Sequence, residues 1–473
     1  MNASTPVSMI ENHTFDEIKV GDSDHLTRTL KAEDIELFAA MSGDVNPSHV
    51  DHEYAKSTQF HSVIAHGMWG GSLISTVLGT QYPGPGTLYL GQSLRFMRPV
   101  HVGDTLDVRV TVVAKDEHNH QVTLDCHCTD QNGADVITGS ALVRAPTEKV
   151  RRARLEPMQV RLTDKTLRHR QLLALTHGLE AITVAVVHPC SPEALRGAIE
   201  AAKMGLIVPI LVGPEDKIRA VAAHAEIDLD GHRIVQAAHS HEAAALAVKM
   251  ARSGEVQALM KGSLHTDELM REVVKAVGGL RTERRVSHVF LLDVPLYSKP
   301  LLISDAAINV EPDLDAKRDI VQNAIDLAHA IGIALPKVAI LAAVETVNAK
   351  IRSTLDAAAL CKMADRGQIT GGIVDGPLAF DNAISPQAVK DKGIVSPVAG
   401  HADILIAPNL EAANMISKQL QYLADSQAAG LVMGARVPLI LTSRADGALA
   451  RVASCALALL VVKAKAAAAR VDD

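Results

Sequence analysis

Aromatic side chains are scarce in this sequence: six Phe, five Tyr and one Trp among 473 residues. A core must therefore come from Ala, Val, Ile and Leu. A hydrophobic share of 48% against 21% charged marks a globular chain rather than a disordered one. Cysteine is sparse too, five in all and scattered apart from Cys126 and Cys128. That pair falls on the apolar side of an alternating segment, so buried thiols are expected rather than metal ligands. Positive charge is not in excess. A net charge of −7 excludes a general nucleic-acid binder and leaves any anionic substrate to local basic patches. No run approaches a membrane span, and Met1 to Phe15 has neither a basic start nor an apolar segment. A cytoplasmic enzyme with no nucleic-acid or membrane partner is the expected class. No Gly-rich dinucleotide fingerprint or P-loop occurs, which disfavours an ordinary NAD or ATP site. The length exceeds one ordinary core, so two or three domains are expected.

The densest set of reactive residues is Ser42-Gly43-Asp44-Val45-Asn46-Pro47-Ser48-His49, followed by His66-Gly67-Met68. Glu33 to Met41 carries apolar Ile35, Phe38, Ala39 and Met41 behind two acidic residues, which reads as a short amphipathic helix. Pro47 biases Asn46 away from helix. Asp44 and His49 therefore fall in a turn, where acid and imidazole can converge. His66-Gly67 opens a second helix, with Leu73, Ile74, Val77 and Leu78 at helical spacing. Gly70, Gly71, Ser72 and Ser75 between them suit a helix that something wraps closely. A helix beginning at Gly67 offers unpaired N–H groups and the positive end of a dipole. Acid, imidazole and helix end together are the equipment for proton chemistry beside a carbonyl. Singly, Asp44 would cap a turn and His49 would be a surface imidazole; the set points to chemistry.

Tyr82-Pro83-Gly84-Pro85-Gly86 stops that helix. Strand patterns of period two follow: Leu88/Leu90, Leu94/Phe96, Leu106 to Val112, Val122 to Cys128, and Val136 to Val143. His118, His120 and His127 fall on a polar hairpin and a solvent face and receive no role. Over residues 14–147 the motif and its His-Gly-Met partner resemble the MaoC-like, (R)-specific enoyl-CoA hydratase family. The resemblance implies a hot-dog fold, an antiparallel sheet wrapped around the central helix. It also implies hydration of a trans-2-enoyl-CoA to the (R)-3-hydroxyacyl-CoA. Asp44 and His49 would activate the water, the Gly67 N–H would stabilise the thioester oxygen, and Ser75 would support the pair. Asn46 and His66 would meet the substrate.

From Ala145 the pattern breaks, and the basic run Lys149 to Arg154, bracketed by Pro146 and Pro157, reads as an interdomain linker over 148–164. Strands then alternate with helices. Apolar runs at Thr183 to Val187, Ile207 to Val212, Ala258 to Met260, Phe290 to Leu292, Leu301 to Ser304, Val338 to Ala343, Ile404 to Ala407 and Val437 to Leu441 mark a parallel or mixed sheet covered on both faces. Ligands gather at the carboxyl ends of such strands. There the sequence puts Lys261-Gly262-Ser263, Glu345-Thr346, Asp375 to Asp381, and Thr442-Ser443-Arg444-Ala445-Asp446. A hydroxyl and a guanidinium at a strand-to-helix junction suit a phosphate.

These loops, with Arg284-Arg285-Val286-Ser287-His288 and Ser304-Asp305-Ala306-Ala307, resemble the phosphate acetyltransferase/butyryltransferase family over 165–470, nearer the butyryl branch through Ser443 to Asp446. The resemblance implies two α/β subdomains of isocitrate dehydrogenase type around a cleft, and a homo-oligomer built from dimers. It implies acyl exchange between CoA and phosphate, with Ser443 and Arg444 steadying phosphate and intermediate. Lys261, Ser263, Arg285, Asp375 and Asp381 would bind substrate. Acyl-CoA and phosphate are then substrates, with no tightly bound cofactor and no metal. The family places an aspartate seven residues after the serine; here that position is Ala450, and Asp446 is the nearby acid. A non-catalytic, acyl-CoA-sensing or oligomerising second domain is the alternative reading, which Ala450 favours and Ser443-Arg444 opposes.

Overall fold

Alternating apolar residues build the first sheet. Leu106, Val108, Val110 and Val112 on one strand and Val122, Leu124, Cys126 and Cys128 on the next are all fully buried, while the residues between them are more exposed. The computed structural model describes residues 8–155, 160, 167–442 and 447–471, and the chain divides into two units, Met1–Thr163 and Asp164–Asp473.

The first unit runs β1 (Met9–Glu11), β2 (Ser23–Thr29), α1 (Ala32–Ser42), α2 (Pro47–Val50), α3 (His52–Ser57), α4 (Gly67–Thr80), β3 (Leu88–Phe96), β4 (Thr105–Asp116), β5 (Gln121–Thr129), β6 (Asp135–Arg144) and β7 (Arg151–Ala153). Five strands form an antiparallel sheet in the order β2-β4-β5-β6-β3. The α4 helix packs against β4, β2 and β3 and buries Ile74, Val77 and Leu78. Its glycines permit that approach: a Cβ on Gly70 would lie 2.5 Å from Ile137 Cδ1. The two runs expected at Leu88/Leu90 and Leu94/Phe96 are one strand, whose pairing with β6 shifts register between Tyr89 and Gly91. The edge strand β2 was not expected, because it is largely exposed and carries little apolar signal. Part of the segment read as linker is a strand: β7 pairs antiparallel with β1, Met9 opposite Ala153. Its basic run is neutralised locally, Lys149 Nζ lying 2.8 Å from Glu17 and 3.3 Å from Glu11.

The second unit contains α5 (Leu167–Ala174), β8 (Ile182–Val187), α6 (Pro192–Lys203), β9 (Ile207–Gly213), α7 (Glu215–His224), β10 (Arg233–Gln236), α8 (Ser240–Arg252), β11 (Ala258–Lys261), α9 (Thr266–Val273), β12 (Ser287–Asp293) and β13 (Leu301–Ser304). It continues with α10 (Leu314–Ala330), β14 (Lys337–Leu341), α11 (Arg352–Asp365), β15 (Ile373–Leu378), α12 (Phe380–Ile384), α13 (Pro386–Lys392), β16 (Ile404–Ile406), α14 (Leu410–Leu423), β17 (Gln427–Met433), β18 (Leu439–Ile440) and α15 (Ala448–Val471). One mixed sheet takes eleven strands in the order β10-β9-β8-β11-β18-β17-β12-β13-β16-β14-β15. Both faces are covered: Val184 and Val186 enter one apolar cluster, Ala185 and Val187 another.

The register positions the site. Val186, Met260, Ile440, Leu431, Val289, Ser304, Ile406 and Ile340 are successive cross-strand partners along one row. β17 is antiparallel to both β18 and β12, and β12 is antiparallel to β13. The parallel strands on the two sides of this switch therefore run in opposite senses. Both sets nevertheless end beside the same row, β8, β11 and β18 from one side and β13, β14 and β16 from the other. Their C-terminal loops face one band across the sheet.

The expectation that no stretch reaches a membrane span is corrected by α15. Ala448–Ala469 is long and apolar enough to cross a membrane by length and composition alone. It serves as a core helix: Cys455 to Leu459 are fully buried, packed among α5, α6, α10 and β17.

Candidate active sites

In the first unit, α1 ends at Gly43 in the left-handed conformation, φ 76°, and the chain turns through Asp44 to α2. Asn46 caps α2, its Oδ1 accepting from the Ser48 N–H at 3.0 Å, and Pro47 takes the first helical position. His49 Nδ1 lies 2.9 Å from the Ile64 carbonyl oxygen. A carbonyl only accepts, so Nδ1 carries the proton and Nε2 is left as a base. His66 Nε2 lies 2.9 Å from the Asp44 carbonyl oxygen and must donate to it. Its Nδ1 is buried without a hydrogen-bond partner among the described residues. The two imidazoles stack with centroids 4.0 Å apart.

Asp44, His49 and His66 each place one ligand-type atom within 4.8 Å of the others, close enough to share a cation or a water. Beside them α4 begins at Gly67 with no side-chain cap, leaving its first N–H groups available. A Cβ on Gly67 would lie 3.2 Å from the Phe96 ring. His49, His66, Gly67, Trp69, Phe96 and Ile137 help line a cavity of about 310 Å³ here. The structure thus brings together Asp44, His49, His66 and Gly67. Ser75 is exposed on α4, eight residues beyond Gly67 and therefore roughly 12 Å along the axis. Among the described residues no hydrogen bond joins it to Asp44 or His49. Asn46 is occupied by capping.

In the second unit the expected residues separate into groups. Lys261 is buried at the end of β11. Gly262 follows because nothing larger fits, a Cβ there lying 2.4 Å from the Val187 oxygen and 2.6 Å from the His188 oxygen. Ser263 donates its N–H to the His188 carbonyl at 2.8 Å. Arg285, before β12, is exposed; its Nε donates to Asn309 Oδ1 at 3.0 Å and its N–H to Asp319 at 2.9 Å. Asp305 is buried and organises the loop after β13, accepting from the N–H groups of His288, Ala307, Ile308 and Asn309 at 2.9–3.1 Å.

Asp375, expected in a loop after a strand, lies inside β15, and Asp381 lies in the following α12; β15 is seven strand spacings from β11 in the sheet order, roughly 34 Å away along the sheet. The Asp375 carboxylate accepts from the Gly376 N–H at 2.8 Å and from Ser396 Oγ. Asp381 pairs with Lys392 at 3.2 Å, whose ammonium holds its carboxyl below the usual range. Ser443, Arg444 and Asp446 lie outside the described residues. Their flanks are described: Thr442 is buried and accepts from Arg451 Nη1 at 2.6 Å, and Ala450 lies in the first turn of α15. Ala450, Leu449, Leu172 and Leu291 help line a cavity of about 390 Å³ whose wall also carries the ion pairs Arg168–Asp293 and Lys299–Asp403.

Sequence reasoning passed over His188. The only signal was its place, directly after the buried β8 run and before Pro189. It has a left-handed backbone, φ 53°. Its Nδ1 and Ser263 Oγ are both buried without a hydrogen-bond partner among the described residues. Burial pushes the His188 imidazole below its usual range.

Comparison with known proteins agrees with this division. A family model described as "Phosphate acetyl/butaryl transferase" matches residues 237–459, and one described as "MaoC like domain" matches residues 17–130. A phosphate acetyltransferase of Rhizobium meliloti is 59% identical over 311 residues, covering 66% of this chain and 98% of that protein. The crystal structure of a branched-chain phosphotransacylase from Enterococcus faecalis V583 aligns with TM-score 0.53 at 29% identity, over 59% of this chain and 99% of that one. An R-hydratase from Pseudomonas aeruginosa is 42% identical over 33% of this chain and 99% of its own, with TM-score 0.32. The chain belongs to the phosphate acetyl/butyryltransferase family and carries a MaoC-like domain ahead of the transferase domain in the same polypeptide.

Proposed function

We propose that the second unit transfers a short acyl group between CoA and phosphate, and that the first reversibly hydrates trans-2-enoyl-CoA to (R)-3-hydroxyacyl-CoA. The parallel pairing of β11 between β8 and β18 carries the transferase reading, because it sets Lys261, Ser263 and the approach to Ser443 at adjacent strand ends. The two parallel sets also suit two subdomains of isocitrate dehydrogenase type facing a cleft. Phosphate attacks the thioester carbonyl, the C–S bond breaks, and thiolate leaves and takes a proton. Ser443 and Arg444 would steady the phosphate and the oxyanion, and Asp446 is the acid nearest in sequence to Ala450, where the family places its aspartate. The cavity at Ala450 has room for a short acyl chain beside its apolar residues.

In the first unit, the convergence of Asp44, His49 and His66 beside the free N-terminus of α4 carries the hydratase reading. His49 Nε2 takes a proton from water held against Asp44, hydroxide adds at C3, and the proton is delivered to C2. The Gly67 N–H receives the enolate-like thioester oxygen. CoA thioesters and phosphate enter as substrates, in a cytoplasmic setting and without a tightly bound cofactor. A homo-oligomer fits the edge strand β3, which among the described residues pairs only with β6 and exposes Leu88, Leu90 and Phe96. Two assays on the full chain test the pair of activities: phosphate-dependent CoA release over an acyl-CoA series, and loss of the conjugated enoyl absorbance of crotonyl-CoA. Absence of the first sinks the transferase reading, and absence of the second the hydratase reading.

A further inference from the structure

We propose that His188 and Ser263 form a phosphoryl-binding subsite of the second unit, an inference that rests on the transferase reading above. The two residues stand at the C-termini of adjacent parallel strands, β8 and β11, whose Val187 and Lys261 are register partners. Their backbones are locked together: the His188 carbonyl accepts from the Ser263 and Cys190 N–H groups, both at 2.8 Å, and the Val187 carbonyl accepts from Gly262 at 2.9 Å. Gly262 leaves no slack in this junction. His188 is held with φ at 53°, a conformation a non-glycine residue keeps only where surrounding structure enforces it.

Two polar atoms are left over at this one place, His188 Nδ1 and Ser263 Oγ. Burying such groups without partners is costly, so each calls for a polar partner. With the proton on Nδ1, both atoms are donors. Nearby charge is mixed. The Ser263 backbone acts on the His188 ring as a hydrogen-bonding group, the Lys217 ammonium opposes its protonation and the Glu268 carboxylate favours it. That carboxylate is already engaged by Ser240 Oγ and the His265 N–H, with His241 at 3.9 Å. Buried Lys261 adds a cation on the same strand end. Two donors on adjacent strand ends, with the Lys217 and Lys261 ammonium groups in the same region and the Glu268 carboxylate held by its own partners, suit a group with several acceptor oxygens and negative charge. In the proposed reaction, such groups are inorganic phosphate and the phosphates of CoA. β8 lies two strand spacings from β18, so a ligand here sits within roughly 10 Å of the strand that leads to Ser443.

The test uses the full chain with His188→Asn, whose side chain tolerates a left-handed backbone, and with Ser263→Ala. Steady-state CoA release would be measured against phosphate with two substrates, acyl-CoA and acyl-pantetheine. Isothermal titration with CoA and with inorganic phosphate would accompany it. Each variant should raise one KM at least about tenfold, as for loss of a hydrogen bond to a charged group, with little change in kcat and unaltered crotonyl-CoA hydration. If the KM for phosphate rises with both thioesters, the subsite holds inorganic phosphate. If the KM for acyl-CoA rises and the effect vanishes with acyl-pantetheine, it holds a CoA phosphate. Wild-type values of both constants in the folded variants overturn the proposal while leaving the transferase reading intact. Should the wild-type chain bind CoA or phosphate without turnover, weaker binding by the variants keeps the subsite and discards the transferase reading. If it binds neither, both fall.

Discussion

Replacing Asp44 with Asn separates chemistry from folding in the first unit. The contacts that hold this turn are made mostly by the Asp44 backbone: its carbonyl accepts from His66 Nε2 at 2.9 Å, and its N–H donates to Ser42 Oγ at 3.2 Å. The side chain adds one weak bond, Oδ1 accepting from the Asn46 N–H at 3.2 Å, which an amide oxygen can replace. Asp44 is exposed, so the change should cost no more than about 0.5 kcal/mol of stability. Loss of a general acid–base group, by contrast, typically lowers the rate about 10²–10⁴-fold, or roughly 3–5 kcal/mol in the barrier. The melting of the first unit should thus be nearly unchanged while crotonyl-CoA hydration almost disappears. Phosphate-dependent CoA release by the same preparation is the internal control and should match the wild type. Hydration within threefold of wild type in the folded variant would refute the assignment, and parallel loss of both activities would refute the independence of the sites.

Three further outcomes are expected. Lys317→Met strands the Asp356 carboxylate in a nearly buried pair now 2.7 Å apart, with exposed Arg352 3.7 Å away; denaturant melts of the second unit should show a loss of about 3 kcal/mol, mostly recovered by Lys317→Met with Asp356→Leu. Lys149 and the Thr14 N–H hold the Glu17 carboxyl down to about 2. This stabilisation of the first unit is present above about pH 4.5 and is lost as pH falls toward 2; Glu17→Gln should flatten that part of the profile, and an unchanged acid limb would count against the pairing. Fragments 1–155 and 160–473 should each melt cooperatively at the midpoints seen in the full chain, and a fragment ending at 150 should melt lower because it lacks β7. Insolubility of either longer fragment would show that the two units depend on one another.

The proposed hydratase site was legible from sequence because its parts are local. Asp44, Asn46, Pro47 and His49 sit in one turn set by a left-handed Gly43 and a capped helix, and His66-Gly67 follows within the same segment. Alternation at β4 and β5 and the β–α rhythm of the second unit were equally readable, since both periods come from backbone geometry. Other features required the tertiary structure. Sheet order sends Asp375, inside β15, and Asp381, in α12, far from Lys261 at the end of β11, because neighbours in a sheet are chosen by packing and not by chain order. Ser75 has the right spacing on a helix whose packing turns it outward. The apolar α15 has the composition of a membrane span and becomes a core helix because five elements close around it. His188 and Ser263 are separated by 75 positions and meet only when β8 pairs with β11. The residues themselves determine periods, turns and caps; which distant groups share a site is determined by the burial of both sheet faces, a long-range term that no local pattern encodes.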